Sequence, residues 1–334
     1  MAHEISNING IDEAFFAGNG GELRPAWHGL GQNLIDAADS ETAIEQAHLD
    51  WRVLMRPLQT IDGKTVPNMC ATVREDTGDV LGVVSDRYKV LQNRHCFKFL
   101  DSLVANGDLK YESAGALRGG QIVWLLARLP SVDTIAEGDN VKRYLMLQAS
   151  HDGLSAINTG ATSVRVVCAN TLRLSLQSNK STMKRITHKG DMASKLADAQ
   201  LYLSQFDKAF TLFRDEAQLL ATRYFTADQC KEYIQKLFPE IDLETRAKAQ
   251  RERKVSQVRE AFRDHRTCLA SIKGTWWHLF NSVTQSIDHA DKSTRRSARD
   301  AAETKMMNLT DGIGADFKAH AFTIAKEMAS VAVA

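Results

Sequence analysis

The stretch Ala71-Thr72-Val73-Arg74-Glu75-Asp76-Thr77-Gly78-Asp79-Val80-Leu81-Gly82-Val83-Val84 decides the architecture of the first half of the chain. A period of two runs on both sides of Asp76-Thr77-Gly78-Asp79, and the glycine there accepts the positive φ that a tight turn requires. This is the pattern of a β-hairpin. On its N-terminal side, Trp51-Arg52-Val53-Leu54-Met55 repeats the same period. On its C-terminal side, Gly119-Gly120 is expected to turn a second hairpin joining residues 111–117 to 121–129, and residues 141–150 read as a further strand. Between the two hairpins Asn93 stands where a helix cap would, and Phe97, Leu100, Leu103 and Val104 fall on one face of the helix that follows. Residues 51–190 are therefore predicted to form an antiparallel sheet with a packed helix.

Beyond residue 190 the period changes. With Asp191 as the cap, Leu196, Ala199, Leu203, Phe206, Phe210, Phe213, Ala217 and Leu220 alternate spacings of three and four, which predicts a long helix packed along its length against others. Further helices are expected over 227–237, stopped by Pro239, and over 243–269, 275–289 and 314–330. The polar run 288–308 reads as a flexible connection. The fold class expected is α+β, with the sheet half followed by a mainly helical half over 191–334.

Residues 1–50 form a third, acidic segment. Nine acids (Glu4, Asp12, Glu13, Glu22, Asp36, Asp39, Glu41, Glu45, Asp50) face one base, Arg24, so the segment carries −8 and the rest of the chain +9 within a total of +1. Such a split points to screening of a basic surface within the chain, to association between subunits, or to an ordinary solvated acidic face. With 43% hydrophobic and 25% charged residues the composition is that of a globular protein, so disorder is not expected for most of the chain. The start, Met1-Ala2-His3-Glu4, lacks the basic and apolar regions of a signal peptide, and no run reaches the roughly 18 apolar residues of a membrane span. Five cysteines at wide spacing (Cys70, Cys96, Cys168, Cys230, Cys268) suit a reducing compartment. The expected location is the cytoplasm.

The stretch 153–190 holds no Asp or Glu, yet Arg165, Arg173, Lys180, Lys184, Arg185 and Lys189 give it +6, and thirteen of its 38 residues are Ser, Thr or Asn. Cations supply charge, hydroxyls and amides supply neutral hydrogen bonds, and the missing carboxylates remove repulsion, which together suit phosphate oxygens. Were residues 164–177 helical, Arg165 and Arg173 would lie about 80° apart and could face one ligand. An exposed loop that lacks acids by chance is the alternative. A second basic run, 246–273, holds nine bases against Glu252, Glu260 and Asp264. Val255, Val258, Phe262 and Leu269 cluster on one side of its helix, which could contact nucleic acid, pair with an acidic segment of a neighbouring subunit, or be simply solvated. Trp276-Trp277 offers a core stripe or subunit contact, with one ring as a candidate base-stacking platform.

Searches for chemistry return little. His265 and Cys268 offer two ligands where zinc takes four, Ser150-His151-Asp152 places triad residues side by side where a strand would point them to opposite faces, and the glycine-rich Gly18–Gly21 and Trp27–Gly31 runs lack a phosphate-loop lysine. No catalytic residue, metal or cofactor is predicted. A nuclease would need clustered carboxylates, and Asp86, Asp101, Asp133, Asp139 and Asp152 show no such spacing.

Taken in order, Trp27-His28-Gly29-Leu30-Gly31, Gly82-Val83-Val84-Ser85-Asp86-Arg87-Tyr88-Lys89-Val90-Leu91-Gln92-Asn93, Ser150-His151-Asp152-Gly153, Arg165-Val166-Val167-Cys168-Ala169-Asn170-Thr171-Leu172 and the helix over 274–289 resemble the phage/plasmid-like protein family, domain of unknown function 932. The resemblance spans nearly the whole chain and implies carriage by a phage, plasmid or integrated element. A more distant resemblance is to Rad52-type annealing proteins, and it implies oligomers, rings or filaments, that bind single strands. The function expected is non-enzymatic binding of single-stranded DNA, with RNA as the alternative, in support of annealing or recombination. Arg165, Arg173, Lys180, Lys184, Arg185 and Lys189 would hold phosphates, with Asn170 and Thr171 as neutral donors. The competing expectation is a mobile-element interaction protein that binds a host factor, in an anti-defence or assembly role.

Overall fold

The computed structural model describes residues 6–17, 32–34, 39–104, 109–165, 171–173, 175–177, 180–181, 184–188, 194, 198, 206–240, 245–264, 269–288 and 313–331. It is a mixed α+β protein, with sheets in the N-terminal half and helices in the C-terminal half.

The acidic N-terminal segment is built into the sheet half. A small hairpin, β1 (Asn7–Ile8) and β2 (Ile11–Asp12), leads into β3 (Ala14–Ala17), which pairs parallel with β4 (Gln32–Leu34). Helix α1 (Ser40–Gln46) follows, its N-terminus closed by the Asp39 carboxylate, which accepts from the Thr42 N–H at 2.7 Å. The hairpin predicted around Gly78 is present: β6 (Thr65–Arg74) pairs antiparallel with β7 (Val80–Ser85), and β5 (Val53–Gln59) lies on the other side of β6. Those three strands make a separate sheet.

Helix α2 (Asn93–Val104) buries Phe97 and Leu100 as expected, but Asn93 is not its cap. The Asn93 side chain donates instead to the Leu49 carbonyl at 2.9 Å and meets His151 on its other end. A tertiary contact has claimed the polar group that local geometry alone would have turned onto the helix.

The large sheet contains β8 (Lys110–Leu117), β9 (Ile122–Ala136), β10 (Asp139–Ser150) and β11 (Ile157–Arg165) as an antiparallel meander, with Arg118–Gly120 turning the predicted second hairpin. Its order is β12-β11-β10-β9-β8-β3-β4. β3 thus extends the meander through Phe15 opposite Ala114, a pairing between residues 99 positions apart. Val123, Leu125, Ala127, Leu145, Leu147 and Ala149 join the main core, and the alternate residues Trp124, Leu126, Tyr144 and Met146 are buried as well. Both faces of the central strands are therefore covered, which is why their sequence reads as continuous apolar runs.

Helices α3 (Phe206–Thr222), α4 (Ala227–Leu237), α5 (Thr245–Arg263), α6 (Trp276–Asp288) and α7 (Ile313–Val331) form the second half. The part of the predicted 3/4 seam that lies on α3, from Phe206 to Leu220, is buried; Leu196, Ala199 and Leu203 lie outside the described residues, as do Asp191 and 289–312. Thr226 opens α4 with a reciprocal capping box to Gln229. Trp276 and Trp277 are both buried, at 0% and 2% exposure, so neither ring offers a stacking platform. Trp276 packs against Phe225 and Tyr233, and Trp277 donates its indole N–H to Asp139 at 2.8 Å, tying α6 to the start of β10. Lys318 and Asp288 form a fully buried ion pair at 2.8 Å that joins α7 to α6. Among the described residues no helix is long and apolar enough to cross a membrane.

Candidate functional site

The acid-free basic stretch folds as strands where it is described, and the helix considered for 164–177 is absent. β11 runs to Arg165, then β12 (Thr171–Arg173), β13 (Ser175–Gln177), β14 (Lys180–Ser181) and β15 (Lys184–Ile186) follow. Thr162-Ser163-Val164 and Thr171-Leu172-Arg173 are rich in β-branched and hydroxyl residues, and the outer edge of β11 offers them unpaired backbone groups. Pairing there satisfies both, where a helix would leave the edge bare.

Two short strands share that edge. β12 pairs antiparallel with the C-terminal part of β11, Val164 opposite Thr171 and Thr162 opposite Arg173. β15 pairs with the N-terminal part, Thr159 opposite Lys184, Asn158 opposite Arg185 and Ile157 opposite Ile186. Arg173 and Lys184 are therefore aligned with β11 residues three positions apart, about 10 Å along the strand. Arg165 ends β11 opposite Val141, and Lys180 pairs with Gln177 in a two-stranded ribbon with β13. Asn170 and Lys189 lie outside the described residues. The structure thus brings Thr171, Arg173, Lys184 and Arg185 to one sheet edge. Along β15 burial alternates: Ile186 and His188 face the core, while Arg185 and Thr187 are exposed.

This edge is anchored to the three-stranded sheet through a buried polar cluster. The His188 ring stacks on Tyr88 with centroids 4.5 Å apart, its Nδ1 donates to the Lys89 carbonyl at 3.0 Å, and the Lys89 N–H donates back to the His188 carbonyl at 2.9 Å. Tyr88 donates its hydroxyl proton to the Ser150 carbonyl at 2.7 Å, and Thr72 donates to the His151 carbonyl at 2.7 Å. Gly82 lies so close to the backbone of Asp152 that a Cβ would overlap it. Two segments noted in the sequence, 82–93 and 150–153, are therefore in direct contact.

His151 is wholly buried. Asn93 Nδ2 is committed to backbone carbonyls, so its Oδ1 must accept from the His151 Nε2–H at 2.9 Å. That fixes the tautomer and leaves His151 Nδ1 as a bare lone pair with no hydrogen-bond partner among the described residues. Burial, with His188 and Arg74 as further positive neighbours, pushes its pKa down to about 3. The ring is neutral at physiological pH. The Ser150 hydroxyl donates to Asp152, whose same oxygen accepts from the Leu154 N–H, and the His151 ring points elsewhere. Adjacent residues of a strand have gone to different sides, and no nucleophile–base pair forms.

Arg74 is the other buried charge. Its guanidinium makes a bidentate pair with Glu13 at 2.7 and 2.8 Å, a second with Asp76, and lies 4.0 Å over the Trp51 ring. Burial opposes the charge, but the two carboxylates outweigh it and hold Arg74 protonated. Sequence reasoning missed this centre, because nothing local links residue 13 to residue 74. The only hint was an arginine in an otherwise apolar strand beside a turn aspartate.

Three of the aspartates considered for a nuclease are engaged in structure. Asp101 accepts from Tyr111, Asp133 binds Arg143 at 2.6 and 2.8 Å, and Asp139 accepts from Trp277. Among the described residues no group of three or more His, Cys, Asp or Glu side chains could hold a metal ion.

Fold and edge together define a mixed α+β protein in which two strands of a basic, acid-free segment, β12 and β15, are hydrogen-bonded along the rim of its large sheet. The chain belongs to the family described as Domain of unknown function (DUF932), whose model matches residues 80–310. No curated protein and no solved structure matches it.

Proposed function

We propose that this protein binds single-stranded nucleic acid along the rim that β12 and β15 form beside β11 and thereby promotes strand annealing or recombination for a phage or plasmid in the bacterial cytoplasm. One observation carries the reading: two strands of the acid-free segment, β12 and β15, lie on a single sheet edge, where both pair with β11. Arg173, Lys184 and Arg185 then share a rim, with the hydroxyl-bearing Thr171 and Thr187 beside them. Cations spaced along an extended edge suit an extended polyanion, since each phosphate can meet a fixed charge while the bases stay accessible. Lowering the repulsion between two complementary strands requires no bond-making, so the proposed activity is not enzymatic and uses no cofactor. Self-association into a ring or filament would join such edges into a continuous track. DNA is the proposed partner, with RNA tested in parallel.

The test is the anisotropy of labelled oligodeoxythymidine titrated with the full chain at several salt concentrations. Affinity should fall steeply with salt, with a log–log slope of about 0.7 per phosphate contact. Replacing Lys184 and Arg185 by alanine should reduce the slope by about 1.4. Salt-independent binding, or none, refutes the proposal.

A further inference from the structure

We propose that the groove between α4 and α5 is a docking site for an acidic peptide segment of a partner protein that carries one bulky apolar anchor. The groove encloses about 560 Å³, within the range of pockets that accept a small ligand or an anchoring side chain. Val255 and Val258 of α5 and Ile234 and Cys230 of α4 form its walls, with Phe225, Phe262 and Leu279 closing it. Helical spacing creates this surface. On α5, positions 251, 255, 258 and 262 recur every three or four residues and form one stripe, and positions 259 and 263 lie along its flank. On α4, positions 227, 230, 231, 234 and 235 do the same.

The rim selects the partner's charge. Lys231 rises from α4, and Arg251, Arg259 and Arg263 rise from α5, while among the described residues no acidic side chain lines the groove. Arg251 is braced, donating to the Phe238 carbonyl at 2.8 Å and to Gln235 at 3.0 Å, with the exposed Glu240 carboxylate 3.7 Å away, so Arg259 and Arg263 carry most of the free charge of the rim. Among the described residues Lys231 pairs with exposed Asp228, a contact that water and salt readily replace. Arg259 and Arg263 are exposed and make no ion pair among the described residues. An apolar floor beneath a cationic rim matches a segment whose carboxylates meet guanidinium groups while one large side chain descends between the helices.

Nucleic acid fits less well, because Gln235, the amide in the lining, already accepts from Arg251, and Phe225 and Phe262 are packed against Trp276 and His278. A second copy of this chain is the alternative that the mass of the complex decides.

The probe is a labelled aspartate-rich peptide with a single phenylalanine, titrated into the full chain and followed by anisotropy. Cys230, on the groove wall, reports the location, since bound peptide should slow its alkylation while Cys70, on β6, is unaffected. Replacing both Arg259 and Arg263 by alanine should weaken peptide binding about tenfold or more at low salt. Both are exposed on a helix that alanine favours, so the fold is retained. Removing the phenylalanine from the peptide, or exchanging its aspartates for lysines, should abolish binding. Any of four results overturns the proposal: binding unchanged in the double variant, equal binding without the phenylalanine, Cys230 left unprotected, or a doubled mass showing that a second copy fills the groove. Displacement of the peptide by oligodeoxythymidine at Cys230 would overturn it in favour of nucleic acid.

Discussion

Lowering the pH from 8 to 5 should destabilise this protein through His151, by an amount the structure fixes. The ring is neutral in the fold, with its pKa near 3, against an ordinary 6.5 in the unfolded chain. Between those values the unfolded chain binds a proton that the folded chain refuses. Stability is therefore full above pH 6.5, begins to fall as the pH drops through 6.5, and goes on falling until the folded ring itself protonates near pH 3. At pH 5 the loss has reached about 1.5 pH units, or about 2 kcal/mol. Other groups titrate over the same range, so the measurement is a difference between two chains. His151→Gln keeps a donor for Asn93 Oδ1 but removes the titrating ring. Urea denaturation of both chains at pH 8 and pH 5 should show the native chain losing about 2 kcal/mol more than the variant. Equal losses would show that the ring is not held neutral, and the argument from the Asn93 contact and the bare Nδ1 would fail.

Gly82→Ala should cost about 1–3 kcal/mol or prevent folding, because its Cβ would strike the Asp152 backbone where the two sheets meet, whereas Gly115→Ala should be milder, its Cβ meeting neighbours at 3.0–3.1 Å. Thermal melts of the two variants provide the comparison. Glu13→Gln should destabilise by about 3–5 kcal/mol, since it leaves the Arg74 guanidinium buried with one carboxylate, that of Asp76, in place of two; Glu41→Gln, on an exposed pair with Arg94, should change stability by less than about 0.5 kcal/mol. Equal effects of the two would contradict the assigned roles. Trp277→Phe should cost about 1–3 kcal/mol by removing a donor to the buried Asp139, and amide exchange should quicken at the start of β10 and along α6.

What could be read in the sequence was whatever is local. The Gly78 and Gly119-Gly120 hairpins follow from turn chemistry, and α4 to α7 follow from 3.6-residue periodicity with Pro239 as a boundary mark. Pairings across long separations left no trace. The place of β3 beside β8 depends on Phe15 meeting Ala114, and the Arg74 centre depends on Glu13 arriving from the same distant segment. The basic stretch was recognised by its charge, but its conformation was set by the open edge of β11, which no local pattern encodes. Asn93 shows the same lesson at one residue, where a tertiary partner displaced the local cap. The α4–α5 groove was half visible, since the apolar stripe and arginines of α5 were apparent, while the matching wall of α4 needed the fold.

Amide hydrogen exchange of the full chain, with and without oligodeoxythymidine, tests the central claim most directly. If the nucleic acid lies on the rim that β12 and β15 form beside β11, exchange should slow in peptides covering 171–188 and in the adjoining part of β11, and α5 should be unchanged. Protection confined to α5, or no protection anywhere, would contradict the account.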